Sequence, residues 1–264
     1  MDGAFLTSSS LPLGPSAPKL NVSVMAGIMY DDGSPFTSYP TSANISDVLS
    51  SQGFSASAIL SSSAFPFPSN ANYTLAVFNF TSRVATDAMF RCLAQSTAYS
   101  AVKNGVFKNV YEYEFDRAYQ IKEWSPNPPA CEAPVTPGHP FGDPTAEFYK
   151  CHSGELLSVF GTMIRQGRPP RDGYDIPFSQ YIVDTWTAFA RTGNPNPEPG
   201  FLETRGFTNT SRIVEAAGVW EPVNARGPKL RVLDVAGKGG MKSFRELRQC
   251  EVLGQSLSYY DNSI

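Results

Sequence analysis

One stretch constrains the fold more than any other. Val22 to Met29 is a nearly unbroken apolar run of strand length, and it stops abruptly at Tyr30-Asp-Asp-Gly-Ser-Pro35. A strand with one wet face alternates apolar and polar residues. A continuous apolar run instead fits a strand covered on both faces, as in parallel sheets. Parallel strands need long crossovers, usually helical, and the rest of the chain offers them. Asn44 to Gln52 reads as a short helix. Arg83 to Lys103 reads as a longer one, with Val84, Ala88, Cys92, Gln95 and Tyr99 at three- and four-residue spacing and Asn104-Gly105 as its stop. Val106 to Phe115 alternates, with Tyr111, Tyr113 and Phe115 on one side and Glu112 and Glu114 on the other. Gly154 to Ile164 reads as a short apolar helix. Phe178 to Arg191 lines Ile182, Trp186 and Phe189 on one face, with Ser179 as its expected cap and Thr192-Gly-Asn-Pro195 as its end. Leu230 to Val235 reads as a late strand and Ser243 to Leu253 as a closing helix. Strands alternating with helices give an α/β fold class, a sheet with helices on its faces. Residues 118–147 form a proline-punctuated loop, longer than the ~12–15 residues at which a structureless loop suggests function.

Composition narrows the function classes. Of 264 residues, 41% are hydrophobic and 17% charged, enough for a buried core and unlike a disordered chain. The net charge of −3 argues against nucleic acid or an anionic membrane as partner. No apolar run approaches the ~18 residues of a membrane span. Residues 1–20 lack the basic start and apolar core of a secretory signal. Two other features nevertheless point to an oxidising secretory route. Five Asn-x-Ser/Thr sequons occur, at Asn21, Asn44, Asn72, Asn79 and Asn209. Four cysteines, Cys92, Cys131, Cys151 and Cys250, form an even set without a Cys-x-x-Cys pair, which favours disulfides over zinc. Four cysteines allow three pairings. Cys131 and Cys151 bracket a Pro/Gly-rich stretch, and closing it would stabilise the chain by roughly 3 kcal/mol. These signals without a leader suggest a piece of a secreted protein.

The chain has two histidines, which makes them useful keys for acid–base chemistry. His139 lies in a Pro-Gly-His-Pro turn and reads as an exposed loop residue. His152 lies in Lys150-Cys-His-Ser-Gly-Glu155, between the long loop and an apolar helix. Asp32 follows the first strand, and functional groups in open α/β sheets gather in the loops at the carboxyl ends of strands. An acid followed by a histidine is the second part of the order Ser, Asp/Glu, His. The nucleophile turn Gly-x-Ser-x-Gly does not occur. Gly14-Pro-Ser-Ala-Pro18 and Gly254-Gln-Ser-Leu-Ser258 each lack the closing glycine, and Gly237-Lys-Gly-Gly240 lacks the spacing of a phosphate loop.

Taken in order, several segments resemble the C-terminal half of the type-B carboxylesterase family, which includes cholinesterases and fungal lipases of that group. Met1-Asp-Gly-Ala-Phe-Leu6 resembles the family's Val-Asp-Gly stretch. Gly27-Ile-Met-Tyr-Asp-Asp-Gly-Ser34 resembles its Asp-Glu-Gly turn, and Asp87-Ala-Met-Phe-Arg-Cys92 its Asp…Phe-x-Cys helix. Lys150-Cys-His-Ser-Gly-Glu-Leu156 with Val159-Phe-Gly161 resembles its His-Gly-x-Glu-Leu…Val-Phe-Gly segment. Trp186-Thr-Ala-Phe-Ala-Arg-Thr-Gly-Asn-Pro-Asn196 resembles its Trp-x-x-Phe-Ala-x-x-Gly-x-Pro-Asn signature. The Cys-His-Ser-Gly-Glu form looks most like fungal members.

The resemblance implies an α/β-hydrolase fold, with residues 1–264 as the C-terminal part of a type-B carboxylesterase domain. His152 would be the general base and Asp32 the acid that orients it, where the family usually has Glu. It also implies a Cys92–Cys250 bridge, leaving Cys131–Cys151 as the second. The serine and oxyanion hole belong to the family's other half. The implied function is a secreted serine-type carboxylic-ester hydrolase of which this chain supplies acid and base only, inactive alone. The implied partner is a small-molecule or lipid carboxylic ester, and no metal or organic cofactor is called for. Two other readings are a non-catalytic cholinesterase-like adhesion protein, which retention of both His152 and Asp32 weighs against, and a non-functional truncated product.

Overall fold

A computed structural model describes residues 11–68, 72–121, 127–235 and 237–261. The family-like stretch Met1 to Leu6 lies outside the described residues. Four strands form one mixed sheet in the order β1 (Leu20–Met29), β2 (Phe107–Phe115), β3 (Lys229–Leu233), β4 (Gly240–Ser243). The first three run parallel and β4 returns antiparallel to β3. The helices are α1 (Ile45–Ser51), α2 (Ala56–Leu60), α3 (Tyr73–Thr86), α4 (Cys92–Lys103), α5 (Leu156–Val159), α6 (Asp175–Thr192), α7 (Pro199–Arg205), α8 (Thr208–Ala217) and α9 (Leu247–Val252). Together they make a partial α/β-hydrolase fold.

The central strand explains the layering. Tyr111, Tyr113 and Phe115 of β2 point to one face, where they meet Trp186 and Phe178 of α6 and Trp220 in edge-on and tilted ring contacts. Val110 points to the other face and packs with Ala98 and Ala101 of α4. Glu112 and Glu114 share that second face and are both buried. The alternation in the sequence is therefore real, yet neither side is wet, because helices cover both. Gly27 lets β1 approach β2: a Cβ there would sit 2.2 Å from the Tyr113 carbonyl oxygen and 2.3 Å from its ring.

Several elements differ from their sequence pattern. β1 is an edge strand with β2 as its neighbour, so Leu20 and Val22 are half exposed and burial is complete only at Ile28 and Met29. The helix expected from Arg83 begins at Tyr73, where the Asn72 side chain accepts the Leu75 N–H at 3.1 Å. It runs through a π-turn at Asp87–Arg91 into α4. Gly154 to Ile164 yields a single turn, α5, closed by Gly161 at φ +59°. Ser179 is not a cap. It lies inside α6, buried, and donates to the Ser158 carbonyl at 3.1 Å. The helix starts earlier because the Asp172 carboxylate accepts the N–H groups of Tyr174 and Asp175. Residues 243–253 hold the end of β4 and the short α9 instead of one helix.

Candidate active site

The loops at the carboxyl ends of β1 and β2 converge with the segment before α5. Tyr30 N–H donates to the Phe115 carbonyl at 2.9 Å, and Tyr119 N–H to the Gly154 carbonyl at 2.8 Å. This brings Asp32 and His152, 120 residues apart in sequence, to 2.6 Å between Oδ1 and Nδ1. The second carboxylate oxygen of Asp32 accepts the Met29 N–H at 2.9 Å. A carboxylate on Nδ1 fixes the ring so that this nitrogen carries the proton and donates it. Asp32 is 4% exposed, whereas the His152 side chain is 41% exposed. Burial pushes the Asp32 carboxyl above its ordinary range, and the Met29 N–H and His152 pull against it.

The turn after Asp32 is locked to α3. Gly33 N–H donates to Thr86 Oγ1 at 3.0 Å, and a Cβ on Gly33 would lie 2.2 Å from the Thr86 nitrogen. On the other side, Cys151 is bridged to Cys131, anchoring the residue next to His152 to the long loop. Ser153 takes a positive φ of 67°, a costly conformation for a residue with a Cβ. The ring of His152 meets Phe36 edge-on at 5.3 Å and Phe90 at 5.5 Å between centroids. Phe90 sits on the π-turn, a helix irregularity common at functional sites. Its neighbour Arg91 donates to the Tyr30 carbonyl at 2.7 Å and pairs with Asp87 and Glu114. A family model, described as the carboxylesterase family, matches residues 1–253.

The chain belongs to the carboxylesterase family.

Among solved structures, it is similar to a PNB esterase, at 17% identity and a TM-score of 0.51 over 87% of this chain. That likeness supports the fold. The chain spans 37% of that esterase's length. A search of curated proteins returns no match.

Within this carboxylesterase-family chain, His139 stays in its own turn, with Nδ1 3.3 Å from Thr136 Oγ1 and from Asp143 Oδ2. Cys92 is joined to Cys250, 158 residues away. Of the sequon residues, Asn21, Asn44 and Asn72 are exposed, and Asn44 and Asn72 cap α1 and α3. Asn209 is half-buried in α8. Asn79 lies inside α3 and accepts the Tyr149 hydroxyl at 2.5 Å. No group of three or more His, Cys, Asp or Glu residues that could hold a metal occurs among the described residues.

Residues that sequence reasoning passed over surround the pair. Phe36 and Phe90 form the apolar wall. Glu155 is half-buried, with its carboxyl pushed up by burial and by Asp32. Asp31 contacts the backbone of Lys150. The position of Glu155 three residues after the histidine was visible in the motif, but its burial was not. A pocket of about 620 Å³ reaches Ser153, the residue after His152, and is also lined by Ile121, Leu156, Leu157, Phe160 and Arg165. Tyr119 borders that pocket, Phe148 packs in the core, and Phe141 is exposed in the loop.

Proposed function

We propose that this chain is the acid–base part of a serine-type carboxylic-ester hydrolase. The observation that carries the proposal is the buried Asp32 carboxylate, 2.6 Å from Nδ1 of His152 and held from behind by the Met29 N–H. In this reading Asp32 keeps the proton on Nδ1, which leaves Nε2 as the basic nitrogen. Nε2 takes the proton of a serine hydroxyl as that oxygen attacks the ester carbonyl. It returns the proton to the departing alcohol, then activates water to cleave the acyl-serine ester. Asp32 stabilises the imidazolium formed in each half-reaction. Asp is one methylene shorter than the family's usual Glu, and the short Asp32–His152 contact accommodates it.

The 264 residues contain no Gly-x-Ser-x-Gly turn. We therefore assign the nucleophile and oxyanion hole to a preceding segment, with residues 1–264 as the C-terminal part of the domain and a secreted whole protein. Two disulfides support that route. No helix among the described residues is long and apolar enough to cross a membrane. The 264-residue chain alone is expected to hydrolyse p-nitrophenyl esters no faster than its H152A variant. Joined to a segment bearing the nucleophile turn, it is expected to gain turnover that H152A abolishes. Robust His152-dependent turnover by the chain alone would overturn this division of labour.

The same route makes a prediction about glycans. In the sequon Asn79-Phe-Thr81, the hydroxyl of Thr81 is buried and donates to the Val77 and Phe78 carbonyls. Glycan addition needs an accessible sequon. After secretory expression, peptide mass spectrometry is expected to find glycan on Asn21 and Asn44 and none on Asn79. Quantitative occupancy of Asn79 would contradict the burial of α3.

A further inference from the structure

We propose that Asp31 is a positioning residue, clamping the His152 segment to the end of β1 so that His152 meets Asp32. This rests on the acid–base reading of Asp32 and His152. Asp31 and Lys150 exchange two hydrogen bonds. The Asp31 N–H donates to the Lys150 carbonyl at 3.1 Å, and the Asp31 carboxylate accepts the Lys150 N–H at 2.8 Å. Asp31 adjoins Asp32, and Lys150 lies two residues before His152. The rung thus ties together the two strands of chain that carry the dyad, close to the dyad itself. The Cys131–Cys151 bridge and the Tyr119–Gly154 bond hold the segment to other parts of the loop.

The Asp31 carboxylate is placed for this work. An ionised carboxylate is a stronger acceptor of a backbone N–H than a neutral acid. Lys150 and Arg91 favour its ionised form, while burial and Glu114 oppose it, and Tyr30 and Tyr149 also face it. Asp116 and Asp234 in turn face Lys150. The balance pushes Asp31 up to about 6, so the clamp weakens as pH falls through that value.

The test uses the ¹⁵N-labelled 264-residue chain. With two histidines, the Nδ1–H resonance of His152 is assigned against His139. In D31A, exchange of that proton with solvent is expected to rise about tenfold, the factor for one lost charged hydrogen bond. D31N retains a neutral side-chain acceptor for the Lys150 N–H and is expected to exchange at a rate between those of the parent and D31A. A folded D31A with exchange unchanged from the parent overturns the positioning role. D32A serves as the control: a slow Nδ1–H signal that survives it refutes the dyad and this proposal with it. A signal lost in D32A but kept in D31A refutes the positioning role alone. If D31A does not fold, D31S is read the same way. Failure of both to fold makes the rung a folding element and overturns the proposal.

Discussion

Glu112→Gln is expected to stabilise the chain by about 4 kcal/mol at pH 8 and by almost nothing at pH 4. Glu112 sits in the central strand, 3% exposed, with Oε2 lacking a hydrogen-bond partner among the described residues. Burial, aided by the neighbouring charge of Glu114, pushes its carboxyl up to about 8. In the unfolded chain the same group titrates near 4.5. Between those values the unfolded state has released a proton that the folded state keeps, so stability falls as pH rises. The slope from this one group approaches ~1.4 kcal/mol per pH unit and ends once the folded state also ionises. Gln has nearly the same shape and no proton to lose, so its curve lacks that slope. Asp31, Asp87 and Asp116 are also pushed up, each to about 6, but they titrate alike in both proteins and cancel in the difference. Urea unfolding at pH 4, 6 and 8 measures it. A difference between the two proteins that does not grow with pH would show that Glu112 is ionised in the native state.

Glu112 also shows what the sequence could and could not carry. Alternation from Tyr111 to Phe115 marked the strand and separated its faces, because side chains on a strand must alternate. It did not mark the glutamate face as buried, since that depends on α4, which comes from another part of the chain. The same division holds at the candidate site. His152 and Asp32 could be singled out because histidines are scarce and strand ends in open sheets gather functional groups. Phe90 could not. Its placement against His152 depends on the π-turn, a one-residue irregularity with no periodic signature. Ser179 had the composition of a cap but lost that place to Asp172, whose carboxylate accepts two N–H groups. The apolar run of β1 signalled a fully covered strand, yet among the described residues its outer edge has no partner strand. The exposure of Leu20 and Val22 follows from that edge position. The three possible cysteine pairings could not be separated by spacing, because which thiols meet is decided by α9 packing against the π-turn that leads into α4.

Loss of the Cys92–Cys250 bridge is expected to cost more stability than any other change considered, about 5 kcal/mol on the chain-entropy model. The bridge spans 158 residues and joins the first residue of α4 to α9. The Cys131–Cys151 bridge spans 20 residues, and the same model gives roughly 3 kcal/mol. A domain of this kind is stable by only ~5–15 kcal/mol, so the first loss takes a large share. Around the long bridge, Gln95 bonds both ways with the backbone of Arg245, Arg245 pairs with Glu114, and Arg83 pairs with Glu246. These contacts depend on the C-terminal segment being held nearby, so the entropic loss carries some of them with it. The order of effects should reverse at the dyad. Cys151 precedes His152 directly, whereas Cys92 reaches the site through Arg91 and Phe90. The double variant C92A/C250A is thus expected to lose more in urea unfolding, and C131A/C151A to speed exchange of the His152 Nδ1–H more. If C131A/C151A lost more stability than C92A/C250A, loop length would not be what governs the long bridge. Equal exchange rates in the two variants would show that the short bridge does not hold His152 in place.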